Sequence, residues 1–174
     1  PNDFRIDIEC NYSDLYDMDS LLKYFLIQEI FFNYDSMKRS TYMYKDIDSK
    51  MVMGPVWDMD YSSGNDQVFE YYDRWETLYF NYDTHTKSWY KYLIKDPYFI
   101  TLLRQYYWNY RDELEKVIED GGIIDAYQEY LQYSAAENAR IWHDSDSFDR
   151  NVSIFKEWLV NRVAWLDLQF ETQA

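Results

Sequence analysis

Apolar residues recur at helical spacing in several stretches of the chain, and one stretch between them is rich in strand formers instead. The first helical stretch places Leu22, Phe25, Leu26, Ile30 and Phe32 three and four positions apart, behind Asp19 or Ser20 as the capping residue. It predicts a helix running to about Asn33 that delivers Asn33, Tyr34 and Asp35 at its C-terminal edge. Thr41 to Lys45 and Met51 to Trp57 follow, divided by the turn-forming Asp46-Ile47-Asp48-Ser49-Lys50, and predict a β-hairpin. Asp58 comes directly after its second strand.

From Tyr61 to Thr86, Ser, Gly, Asn, Asp and scattered aromatics keep no clear period, which predicts a long ordered loop with room for a short helix. Ser88 to Ile94 reads as helix. Pro97, at a first helical position, opens a longer one to about Ile118, which Gly121-Gly122 ends. Another helix is expected from about Ile124 to Trp142. In the last, from about Phe148 to Phe170, Val152, Phe155, Leu159, Val163, Leu166 and Phe170 mark one face, read as core rather than as a cofactor motif. There is no internal repeat and no Pro- or Ser-rich linker. The fold class that follows is a single, mainly α domain with a small β-hairpin (α+β).

Composition narrows the function classes. Of 174 residues, 47% are hydrophobic and 21% aromatic, with only 4 Gly and 3 Pro, so a disordered or linker-dominated chain is excluded. Lys plus Arg number 17 against 32 Asp plus Glu, a formal charge of −15. Such a surface repels phosphate backbones and anionic headgroups, so nucleic acid and membrane surfaces are not expected partners. The same charge suits divalent cations, cationic substrates or plain solubility. Cys10 is the single cysteine, so no intrachain disulfide forms. The most apolar stretch, around Phe25 to Phe32, is too short to span a bilayer.

The densest chemistry lies in Gly54-Pro55-Val56-Trp57-Asp58-Met59-Asp60-Tyr61-Ser62-Ser63-Gly64. In an extended segment Asp58 and Asp60 point to the same side, and oxygen ligands at that spacing suit Mg²⁺ or Ca²⁺. The plainer reading is a turn cap and a solvated carboxylate. An EF-hand is disfavoured: counted from Asp58, its glycine belongs at position 6 and its glutamate at position 12, yet Gly64 is seventh and Phe69 twelfth. A second feature is Asn33-Tyr34-Asp35-Ser36-Met37-Lys38-Arg39-Ser40, a carboxylate at a helix exit followed by a hydroxyl. Kinase catalytic loops share that layout, with one carboxylate orienting the acceptor hydroxyl and an oxygen cluster holding the metal. His85 and His143 are isolated, so zinc is unsupported. Arg74 and Arg140 read as partners of nearby carboxylates.

A helix ending in Asn-x-Asp, a Tyr-rich strand and then Gly-Pro-x-Trp-Asp-x-Asp-x-x-x-Gly together resemble the spore coat H (CotH) family. The similarity continues through Trp89 to Phe99, Ser134 to Trp142 and Phe155 to Gln169, covering nearly the whole chain. It implies the helical C-lobe of an atypical protein-kinase-like fold, the C-terminal portion of a longer chain. It also implies phosphorylation of protein serine from ATP with a divalent metal, Mg²⁺ or alternatively Mn²⁺ or Ca²⁺. Under it Asp35 is the catalytic-loop carboxylate, Asp58 the main metal carboxylate and Asp60 its companion. Ser40 stands where kinases place a metal-binding Asn, a departure for which Asn33 is a candidate substitute. No Gly-rich loop and no strand lysine paired with a helix glutamate are visible. By the same resemblance the protein is bacterial and belongs to the spore coat or cell surface. The competing expectation is a non-catalytic surface or scaffold module that keeps a metal and binds a protein or glycan through its aromatic residues.

Overall fold

The computed structural model describes residues 11–36, 39–65, 74–78, 90–143 and 147–171. Six α-helices and one two-stranded sheet are present among them, as the mainly α expectation requires. Helix α1 (Tyr12–Leu15) is a single turn capped by the Asn11 side chain, too short to leave a periodic signal. Helix α2 (Met18–Ile30) is capped two or three residues before the site expected from sequence, Asp19 or Ser20. Its cap is Asp17, whose Oδ1 accepts from the Ser20 amide at 2.8 Å. Asp19 instead pairs with Lys23 one turn on.

Strands β1 (Met43–Tyr44) and β2 (Val52–Met53) pair antiparallel, Met43 opposite Met53 and Tyr44 opposite Val52. The regular pairing is far shorter than the predicted hairpin. What fixes it is α2: the Asp17 amide donates to the Met51 carbonyl, the Met51 amide to the Leu15 carbonyl, and the Met53 amide to Ser20 Oγ. The second strand of the hairpin is thus tied to the end of α1 and the start of α2.

A 3₁₀ turn (Arg74–Glu76) lies inside the region read as loop; of that region, 66–73 and 79–86 fall outside the described residues. Helix α3 (Tyr90–Leu93) matches the end of the Ser88 to Ile94 segment, whose first two residues are not described. Helix α4 (Pro97–Ile118) is capped by Asp96 with proline in its first turn, α5 runs over Ile123–Trp142, and α6 covers Phe148–Phe170 behind Ser147.

Helices α2, α4 and α6 enclose the core. Phe25, Phe99, Leu103, Tyr107, Leu159, Val163 and Leu166 expose nothing, and Phe25 meets Phe99 edge-on at 5.2 Å. The α6 stripe is buried from Leu159 to Phe170 and half-buried at Val152 and Phe155, as its spacing predicts. Tyr107 closes the far end, its hydroxyl donating to Asp167 at 2.6 Å while Arg111 grips the same carboxylate at 2.8 and 3.0 Å. Helix α5 lies at the edge, with Ile124 as its single buried residue.

Candidate active site

The site begins where α2 stops. Phe32 takes a left-handed φ of 48°, its amide donates to the Glu29 carbonyl, and the Asn33 amide reaches back to the Gln28 carbonyl. These two reverse bonds form a Schellman termination, which usually places glycine at the left-handed position. A phenylalanine there costs roughly 1 kcal/mol, so neighbouring contacts must hold it. The chain leaves the helix three residues earlier than the sequence suggests, and the turn rather than the helix presents residues 33–35.

Asn33 is 1% exposed and ties the two acidic segments together. Its Nδ2 lies 3.1 Å from Met59 Sδ and 3.5 Å from the Asp58 carbonyl, while its Oδ1 accepts from the Asp35 amide at 3.2 Å. Two backbone bonds close the same seam: the Tyr34 amide to the Tyr61 carbonyl at 3.0 Å, and the Ser63 amide to the Phe31 carbonyl at 2.7 Å. Ser40 Oγ then donates to Asp58 Oδ2 at 2.9 Å. Of the four residues expected from sequence, Ser40 and Asp58 touch directly, and Asp35 joins Asp58 through Asn33. Asn33 is therefore a strut between the acidic segments, with its amide already engaged.

The turn after β2 is not the extended segment assumed for paired carboxylates. Asp58 has φ 62°, so strand alternation fails at that residue, and Ser63 (54°) and Gly64 (78°) are also left-handed. Gly64 meets that requirement without steric cost; Asp58, Ser63 and Ser40 (47°) do not. Local bonds hold the shape: Ser62 Oγ to the Met59 carbonyl at 2.6 Å and Asn65 Nδ2 to the Asp60 carbonyl at 2.9 Å. Clusters of such residues are typical of sites where geometry serves chemistry. Asp58 and Asp60 are exposed and Asp35 is half-buried. Beside Asp60 lies a cleft of about 780 Å³, walled by residues 62–65 on one side and by Arg150, Asn151, Phe155 and Trp158 of α6 on the other.

Among the described residues no group of three or more His, Cys, Asp or Glu gathers into a metal cluster. The donor chemistry still fits a nucleotide-bound divalent cation. Mg²⁺ is commonly held by one or two carboxylates, with phosphate oxygens and water completing the shell, and Asp58 beside the Ser40 hydroxyl supplies oxygen donors of that kind.

Sequence reasoning missed Arg162, which expose none of its surface and sits on the apolar stripe of α6. Its guanidinium donates to the carbonyls of Glu29 (2.7 Å), Ile30 (3.3 Å), Trp75 (2.6 Å) and Thr77 (2.6 Å), and to Glu29 Oε1 at 2.8 Å. Burial pulls its pKa down and the neighbouring Glu29 opposes that shift. The available signal was a charge at a core position between Leu159 and Leu166.

Fold and site together define a mainly α protein whose hairpin and helix exit hold acidic turns against each other. A family model described as CotH kinase protein matches residues 5–166, and the chain belongs to that kinase-like family. Neither curated proteins nor solved structures gave a match. No described helix is long and apolar enough to cross a membrane.

Proposed function

We propose that this chain carries the catalytic-loop and metal-binding part of a CotH-type protein kinase, which transfers the γ-phosphoryl group of ATP to a protein serine. The observation that supports this is the seam in which Asn33 and Ser40 join the Asp35 turn to Asp58. Asp35 accepts a hydrogen bond from the acceptor hydroxyl and takes its proton as the oxygen attacks. Asp58 holds the divalent cation, with Asp60 as its companion and Ser40 fixing one Asp58 oxygen. When bound, the cation neutralises charge on the phosphates. Asn33 keeps the two carboxylate-bearing segments in register, which matters because positioning supplies much of the rate in phosphoryl transfer.

The family resemblance supports the helical C-lobe assignment, the membership of 1–174 in one domain of a longer kinase and a spore-coat or cell-surface setting. The experiment supplies the longer kinase of which this chain is proposed to be a part with ATP, Mg²⁺ and serine-containing proteins, and compares Asp35→Ala and Asp58→Ala within it. Phosphate incorporation should fall by about 10²-fold or more in each variant. Equal incorporation by parent and variants, or none by the parent, overturns the proposal.

A further inference from the structure

Arg162 spends all five of its N–H donors within the core, and four of the five acceptors are backbone carbonyls. Two of those carbonyls, Glu29 and Ile30, are the last of α2. The other two belong to Trp75 and Thr77, in and just after the 3₁₀ turn. Its guanidinium also lies 5.4 Å from the ring centre of Phe32, the residue that takes the strained left-handed position, and 5.3 Å from that of Trp165. Arg162 therefore holds the last two carbonyls of α2 and lies against the residue at which the chain turns toward Asn33.

Stability alone is a weak reason for such a group. Apolar replacement of a buried ion pair is often neutral or stabilising, because desolvation of the charges offsets their attraction. What an apolar residue cannot do is bind carbonyls of two separate segments in one plane. Lysine cannot either, since its three donors radiate from a single point on a flexible stem.

We propose that Arg162 is a positioning residue for the acidic site: by clamping the Glu29 and Ile30 carbonyls and bracing Phe32, it sets the angle at which the Asn33–Asp35 turn meets the Asp58 turn. Glu29 completes the clamp by neutralising the guanidinium. The consequence for phosphoryl transfer rests on the function proposed above; the positioning itself does not.

Amide NMR spectra of this chain, parent against Arg162→Lys, test the clamp well below the melting temperature. The Asp35, Asp58 and Tyr61 cross-peaks should move or broaden, although none of these residues touches Arg162. Changes confined to residues 27–32, 74–78 and neighbouring positions of α6 overturn the proposal, because a merely structural anchor alters only its own surroundings. If Arg162→Lys does not fold, Glu29→Gln, which keeps the side-chain shape, is read against the same two outcomes. In the phosphotransfer assay Arg162→Lys should lower kcat about tenfold while each KM stays within about twofold. A parent without phosphotransfer defeats the kinase reading and leaves the spectra to decide the clamp.

Discussion

Helices α4 and α6 contribute Phe99, Leu103, Tyr107, Leu159, Val163 and Leu166 to one core, and none of these exposes any surface. Between residues 40 and 64 the chain is built on other terms: Ser40, Asp58 and Ser63 hold left-handed backbone, and Asp58 and Asp60 face solvent. The helical region gains stability from close-packed volume, where lost methylene groups leave cavities. The acidic turns bury little and depend on single hydrogen bonds, so their side chains are free to serve chemistry at small cost to the fold. Substitutions should therefore separate the two regions, with stability lost in one and activity in the other.

Phe99→Ala should have the largest effect on folding. It empties a position packed against Phe25 and Tyr12 and should cost about 3–5 kcal/mol, read as a fall in calorimetric melting temperature. A loss below about 1 kcal/mol would mean that the core does not close there. Asp167→Ala comes next, since it strips Arg111 and the Tyr107 hydroxyl of a shared acceptor at the half-exposed rim. About 1–2 kcal/mol should be lost in urea titration.

Asp58→Gly sharpens the contrast from the other side. Relief of a left-handed residue and the added freedom of the unfolded chain oppose each other, so stability should change by less than about 1 kcal/mol. Phosphate transfer in the same preparation should disappear. A variant that lost both together would break the separation of scaffold and site.

The smallest effect expected per group is the acid response of the scaffold. The Tyr12 hydroxyl and the Tyr98 amide hold Asp96 below the usual carboxylate range; Lys156 and the Gly121 amide do so for Asp125, and Gln128 and Gln132 for Asp149. A carboxyl depressed on folding contributes stability that is fully present above its unfolded value near about 4 and is lost as pH falls through the folded one. The urea midpoint should accordingly drop on acidification below about pH 4. Asp149→Asn should make that slope shallower, and an unchanged slope would show that the Gln128 and Gln132 bonds contribute nothing to it.

The sequence by itself determined the long helices, because burial of one face imposes a period on residues such as Leu159, Val163 and Leu166 whatever lies opposite. It also marked the hairpin and set Asp35 at a helix exit before it and Asp58 directly after it, since turn-forming and charged residues interrupt those periods locally. Only the tertiary structure decided how the turns meet. Asn33 became the strut once Met59 and Asp58 were brought back against the end of α2, and the helix stopped at Ile30 with Phe32 in the left-handed position where a glycine would have announced it. Arg162 finds the Ile30 carbonyl 132 positions away, a pairing that no local pattern encodes because it exists only when α6 has packed across the end of α2.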